Sequence, residues 1–255
     1  MVRHLLSFAA LLAGLAALSF VAAPIVAEDT KVDADKWTPL FNGKDLTGWK
    51  MFPKPNPGDI GDILAQKKDG KVVAYNGVMK KGANKGKEAP LWRVEDGILI
   101  GSGPHSHLFT ERGDFENFRY RVEAKINDHG NSGQYFRTKF TPDFPQGYEA
   151  QINSTHGDPI RTGSLYPSFP GVTKADREKI LIMERLVKPD EWFTQEVIAQ
   201  GNHIVIKVNG KTTVDFVDKK NAYKKGHFAL QGHDPGTVVK YRKVEVIELP
   251  ADKKE

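Results

Sequence analysis

The chain contains no cysteine. That excludes a disulfide framework, thiol catalysis, thiolate metal sites and lipid attachment through an N-terminal cysteine. Helical periodicity is almost absent after residue 27, which argues against a helical bundle. There is no Gly-x-Ser-x-Gly, no Walker A loop and no His-Glu-x-x-His. Gly 24 and Pro 15 show no fixed period, so a collagen-like chain is excluded. Charge of one sign is not in large excess, at a formal net charge of +5. Much of that excess sits in Lys80, Lys81, Lys85 and Lys87, interleaved with Gly and Asn. No aromatic residue is interleaved there for base stacking, so the segment reads as a solvated loop and no nucleic-acid partner is expected.

One long apolar run is present, at the start. Arg3 and His4 precede residues 5–23, apolar apart from Ser7, Gly14 and Ser19, and Ile25-Val26-Ala27 offers a small-residue cleavage site. The pattern predicts a cleaved signal peptide over residues 1–27 rather than a membrane anchor, although about 20 apolar residues suffice to span a bilayer. Export to the periplasm or beyond the cell is the expectation, with no membrane association after cleavage. A length of 255 residues suits one domain plus a short appendage. The division reads as a flexible segment 28–36, a single domain 37–250 and a charged tail 251–255.

The domain reads as strands. Phe118, Tyr120, Val122, Ala124 and Ile126 alternate with Arg119, Arg121, Glu123 and Lys125, as in an antiparallel strand with one wet face. Residues 131–140 and 147–153 read as two more strands, and 226–231 and 238–248 as closing strands. Asn209-Gly210 between 203–208 and 211–217 is a strong hairpin signal, because both turn positions tolerate positive φ. Residues 51–89, with three prolines, read as a long loop excursion with one short turn or strand near 71–75. A short helix is expected within 173–186. The fold class is therefore all-β: a sandwich or jelly roll of two antiparallel sheets, with one long loop excursion and at most a short helix.

Polar residues on one face of adjacent strands are the candidate chemistry. Tyr148, Ala150 and Ile152 share one face, and Glu149, Gln151 and Asn153 share the other. On the preceding strand the alternate set is Gly133, Tyr135 and Arg137. Pairing of the two strands would place Arg137 near Glu149, either as a solvated cross-strand ion pair or as a site. His105-x-His107 lacks a third ligand at a recognisable spacing, so no metal is expected. His233 ends a predicted strand, where sites on a rigid sandwich tend to lie. No Glu-x-Asp-x-Glu is present, so the carboxylate pair of ordinary glycoside hydrolysis is not visible.

The ordered motifs resemble one family. Leu40-Phe41-Asn42-Gly43-Lys44-Asp45-Leu46-Thr47-Gly48-Trp49 is similar to its opening signature, and Trp92-Arg93-Val94-Glu95-Asp96-Gly97-Ile98-Leu99 to its second. Gly113-Asp114-Phe115-Glu116, Asn131-Ser132-Gly133, Tyr148-Glu149-Ala150-Gln151-Ile152, Gly163-Ser164-Leu165-Tyr166, Glu191-Trp192, Val208-Asn209-Gly210, Leu230-Gln231-x-His233 and Tyr241-Arg242 follow in order. The chain thus resembles the 3-keto-disaccharide hydrolase family from about Trp37 to Leu249.

That resemblance implies a concanavalin-like jelly roll and a hydrolase acting on oxidised glycosides in carbohydrate metabolism. A ketone at C3 acidifies the C2 hydrogen, so a base, an enolate-stabilising group and an acid suffice. The expected catalytic residues are Glu149 as base, His233 as its competitor, and Arg137, which with Gln151 would hold the C3 oxygen. Tyr166 or His156 would protonate the leaving group. Tyr135 and Trp192 would offer stacking surface, and Asn131 and Gln231 complete the expected substrate-binding set. No cofactor is expected. The alternative is a lectin-like module that binds glycans without cleaving them.

Overall fold

In a computed structural model of the protein, the described residues are 37–53, 58–142 and 144–250. The expected signal peptide 1–27, flexible segment 28–36 and charged tail 251–255 lie outside them. The elements in chain order are β1 (Thr38–Pro39), β2 (Trp49–Lys50), β3 (Ile60–Lys68), β4 (Lys71–Met79), β5 (Glu88–Glu95), β6 (Ile98–Ser102), β7 (Ser106–Thr110) and β8 (Phe118–Ile126). Then follow β9 (Asn131–Thr138), β10 (Tyr148–Asn153), α1 (Lys174–Ile180), β11 (Phe193–Gln200), β12 (His203–Val208), β13 (Lys211–Val217), β14 (His227–Gly232) and β15 (Val238–Glu248). No helix among the described residues is long and apolar enough to cross a membrane.

Two antiparallel sheets result. The larger has ten strands in the order β13-β12-β11-β8-β15-β6-β5-β4-β3, with β1 paired to β15. The smaller runs β10-β9-β14-β7-β2. Period-two alternation puts Phe118, Tyr120 and Val122 of β8 and Tyr241 and Val244 of β15 into the core. Facing them are Phe136, Tyr148, Ile152, Phe228 and Leu230 of the smaller sheet. Tyr120 stacks on Phe228 with centroids 4.0 Å apart. One polar seam crosses this core. Gln195 Nε2 donates to Gln134 Oε1 at 3.2 Å and to Ala150 O at 3.3 Å, and Gln134 Nε2 donates to Tyr120 O at 3.1 Å. The seam ties β10 to the larger sheet and fixes the strand that carries Glu149.

The all-β sandwich expected from the sequence is present. Asn209 and Gly210 join β12 to β13 with φ of 49° and 80°, the turn geometry that matches strand twist. The short helix is α1, which starts at a capping box between Thr173 and Asp176 and buries Ile180. Residues 51–89 differ from expectation. They hold the nine-residue strands β3 and β4, a hairpin that widens the edge of the larger sheet. Its turn is Asp69-Gly70, both at positive φ. Most of the hairpin's residues are half-buried, so no clean alternation between buried and wet faces marked it in the sequence.

Candidate active site

β9 and β10 pair in the register Glu149↔Tyr135, Gln151↔Gly133 and Asn153↔Asn131. Because Tyr148, Ala150 and Ile152 enter the core, Glu149, Gln151 and Asn153 point away from the other sheet. On an open sheet such residues would be wet. Here every residue of β9 and β10 is buried. Residues 144–146, Asp158, Tyr166, Ser168 and Tyr223 surround that face and leave a cleft of about 390 Å³, within the size range of small-ligand sites.

Glu149 is the buried carboxylate of the cleft. Burial raises its pKa to about 8; the Tyr135 hydroxyl, which donates to it, opposes the shift, and the Asp158 charge adds to it. The Gln151 amide, turned to suit its neighbours, donates to Ser132 O at 2.9 Å and to Glu149 Oε1 at 3.2 Å. Tyr135 in turn accepts from Gln231 Nε2 at 3.2 Å. Gly133 makes the room. A Cβ there would lie 2.3 Å from Glu149 Oε1 and 2.7 Å from Tyr135 Cε2. Its φ is not positive, so the requirement is for volume rather than for backbone freedom. Asp218 is buried too, yet it accepts from the Tyr148 hydroxyl at 2.5 Å and from the amides of Lys220 and Ala222 at 2.9 and 2.8 Å. It is a structural anchor, whereas Glu149 faces unfilled space.

A histidine-rich rim lies beside this carboxyl. His233 Nδ1 is 3.0 Å from Asp234 Oδ2. Burial pushes Asp234 up, but hydrogen bonds from His233, Thr237 and the Gly236 amide outweigh it and hold the carboxyl below its usual range. His156 Nε2 is 3.9 Å from the same Asp234 oxygen. Phe144, 50 % exposed, packs tilted on His105 at 4.5 Å and edgewise on His107 at 5.9 Å. His107 is buried, and that burial pushes its pKa well down.

Among the described residues, His156, His233 and Asp234 are close enough together to be tested as metal ligands. The donor set does not fit. His156 Nδ1 accepts the Asp158 amide at 3.0 Å, so the ring proton sits on Nε2, the nitrogen nearer Asp234. That nitrogen offers a proton where a metal needs a lone pair.

The family described as the 3-keto-alpha-glucoside-1,2-lyase-like domain matches residues 36–247. The chain belongs to that family. This is the membership its motifs implied, and it makes the protein a carbohydrate-active member of a hydrolase-like family. A search of the curated proteins finds no match. Two solved structures of candidate glycosyl hydrolases from Parabacteroides distasonis are 22% and 20% identical, each with a TM-score of 0.55. They cover 85% and 84% of this chain and 95% and 100% of their own. The Emp47p carbohydrate recognition domain is 12% identical with a TM-score of 0.50, covering 87% of this chain and 99% of that one. At these identities the likeness establishes the sandwich fold alone.

Within this lyase-like domain, Asn131, Tyr135, Glu149, Gln151, Tyr166, Gln231 and His233 all line the one cleft. His156 stands behind Asn131, its Nδ1 3.4 Å from the amide. Two expected residues are elsewhere. Arg137 has φ +52° at a bulge where β9 gains a residue on β14, and a bulge reverses the parity of the side chains beyond it. Its guanidinium turns from the cleft and donates to Glu116 O at 2.6 and 2.9 Å, Gly201 O at 2.7 Å and Tyr223 O at 3.2 Å. Arg137 therefore clamps three chain segments and does not reach the substrate side. Trp192 immediately precedes β11 of the larger sheet, where Arg242 and Lys125 lie over its ring at 4.7 and 5.1 Å. Phe144 joins Tyr135, Tyr166 and Tyr223 as an aromatic lining of the cleft. Sequence reasoning also passed over Asp158, in an irregular loop without periodic signal, and Asp234, whose only signal was its place beside His233.

Proposed function

We propose that the protein is an exported enzyme that cleaves 3-keto-glycosides, 3-keto-disaccharides among them, by proton abstraction, elimination and hydration. The observation that carries this is the buried Glu149 carboxyl in an open cleft, with a pKa raised to about 8. A general base works best with a pKa near the working pH, and a desolvated carboxylate is a strong one. In the reaction the C2–H bond breaks toward Glu149 and its electrons pass to the C3 oxygen. The resulting enolate then reforms the ketone, makes the C1–C2 double bond and breaks the C1–O bond. Asn131, which lines the same cleft, supplies an amide donor for the enolate oxygen, while the Gln151 amide holds Ser132 O and the Glu149 carboxyl. The departing oxygen needs a proton from a second group. Water then adds at C1, and C2 takes its proton back from Glu149. No oxocarbenium ion is required.

The test is release of free sugar from a 3-keto-glucoside by the protein lacking residues 1–27, beside Glu149→Gln. Turnover that depends on Glu149 supports the reading. No turnover of any 3-keto-glycoside, with saturable binding of an unoxidised glycan, would leave a lectin-like module.

A further inference from the structure

We infer that His233, held by Asp234, is the second proton carrier of this site: it protonates the departing oxygen and then takes a proton from the incoming water. The inference rests on the reaction proposed above. Three groups near the cleft compete for the task, and their hydrogen bonds separate them. The Tyr166 hydroxyl donates to Asp158 Oδ2 at 3.0 Å. Burial and the Asp158 charge push its pKa up to about 12, so it is a poor acid at neutral pH. His156 has Nδ1 committed to the Asp158 amide; giving up the Nε2 proton would leave an imidazolate. His233 has neither restriction. Its Nδ1 meets Asp234, a carboxylate that only accepts, so Nδ1 carries a proton and Nε2 is left to exchange one.

The support behind His233 is built in depth. Thr237 Oγ1 donates to Asp234 Oδ2 at 2.9 Å, and the Gly236 amide to Oδ1 at 2.8 Å. Thr237 Oγ1 itself accepts from the backbone N–H of Asn131 at 2.9 Å. His105 Nδ1 meets the His233 carbonyl at 3.2 Å. Asp234 is thus a positioning residue, and it supplies the counter-charge while Nε2 holds its proton. The proton balance closes over one turnover. Nε2–H passes its proton to the aglycone oxygen as C1–O breaks, and bare Nε2 then takes one as water bonds to C1. Glu149 makes its own loan and return at C2.

The experiment uses 3-keto methyl glucoside, whose leaving group needs a proton, and 4-nitrophenyl 3-keto-glucoside, whose leaving group does not. Both are offered to wild type, Asp234→Asn and His233→Gln. The expected loss is about a hundredfold or more on the methyl glycoside, the usual worth of a general acid, and under about tenfold for nitrophenolate release. The variants should also accumulate the unsaturated keto sugar, seen as conjugated-enone absorption, because hydration loses its base. Equal losses on both glycosides without the enone, or no loss on either, would overturn the assignment while the Glu149 reaction stands. A wild type inert to both overturns the reaction and the assignment together. Asp234 also holds its turn, so His233→Gln decides the outcome if Asp234→Asn unfolds.

Discussion

The outer faces of the two sheets follow opposite rules. On the larger sheet, charges are numerous and partnered. Arg119 meets Glu196 at 2.5 Å, Arg121 meets Glu245 at 2.5 Å, and Arg242 meets Glu123. The Trp37 ring lies 4.0 Å from Arg121 and the Trp192 ring 4.7 Å from Arg242. Such half-wet pairs shape a surface and contribute little each. On the smaller sheet the corresponding face has few charges, is covered by loops, and leaves polar atoms without partners, including Gln231 Oε1 and His107 Nε2. Burial there acts on single groups, and it raises the pKa of the Glu149 carboxyl to about 8. A charge neutralised by a neighbour is chemically quiet. A carboxyl desolvated beside open space is poised to exchange a proton.

Breaking the quiet face and the poised face should therefore give unlike results. The largest effect is expected for Glu149→Gln, with a loss of about a thousandfold or more in kcat, within the range for a general base, measured on a 3-keto-glucoside. The same variant should alter the pH dependence of stability. The folded pKa of about 8 lies above the ordinary glutamate value of 4.5, so the native state holds the extra proton between these values. Wild-type stability falls as pH rises through that window, and Glu149→Gln should lose this decline in thermal unfolding at stepped pH. Activity should show the reverse trend, rising through a limb near pH 8. Next comes Arg137→Met, expected to cost about 3 kcal/mol in denaturant unfolding, because three part-buried carbonyl acceptors lose a charged donor that is itself buried. Gly133→Ala should reduce kcat/KM about a hundredfold, equivalent to about 2.7 kcal/mol, since the new methyl displaces the Glu149 carboxyl; a crystal structure would show that carboxyl moved. The smallest effect belongs to the larger sheet. A double-mutant cycle on Arg121 and Glu245 should give a coupling below about 1 kcal/mol and no change in turnover.

How far the sequence foretold this contrast varied with burial. Alternation located β8 and separated Glu149 from Tyr148, because one face of each strand is anchored in the core. The same rule misplaced Arg137, since counting by twos presumes an unbroken ladder and the bulge inserts one residue. Of the β3–β4 hairpin only a short turn or strand near 71–75 was expected, because its half-buried residues give no clean alternation, although Asp69-Gly70 marked its turn. Trp192 was expected at the sugar because aromatic residues often serve there, but cations on the other sheet hold its ring. Phe144 comes from an irregular segment, whose position depends on packing rather than on any local repeat.

Gly133 has a use in comparing relatives. Its constraint is an absence of atoms: the Glu149 carboxyl occupies the place a side chain would take. A relative with glutamate at the position of Glu149 but alanine or serine at that of Gly133 would carry the acid without the space for it. Such a chain should keep the sandwich and the cleft walls while losing the chemistry. This one glycine thus gives a way to sort working members of the family from silent ones, before any substrate is known.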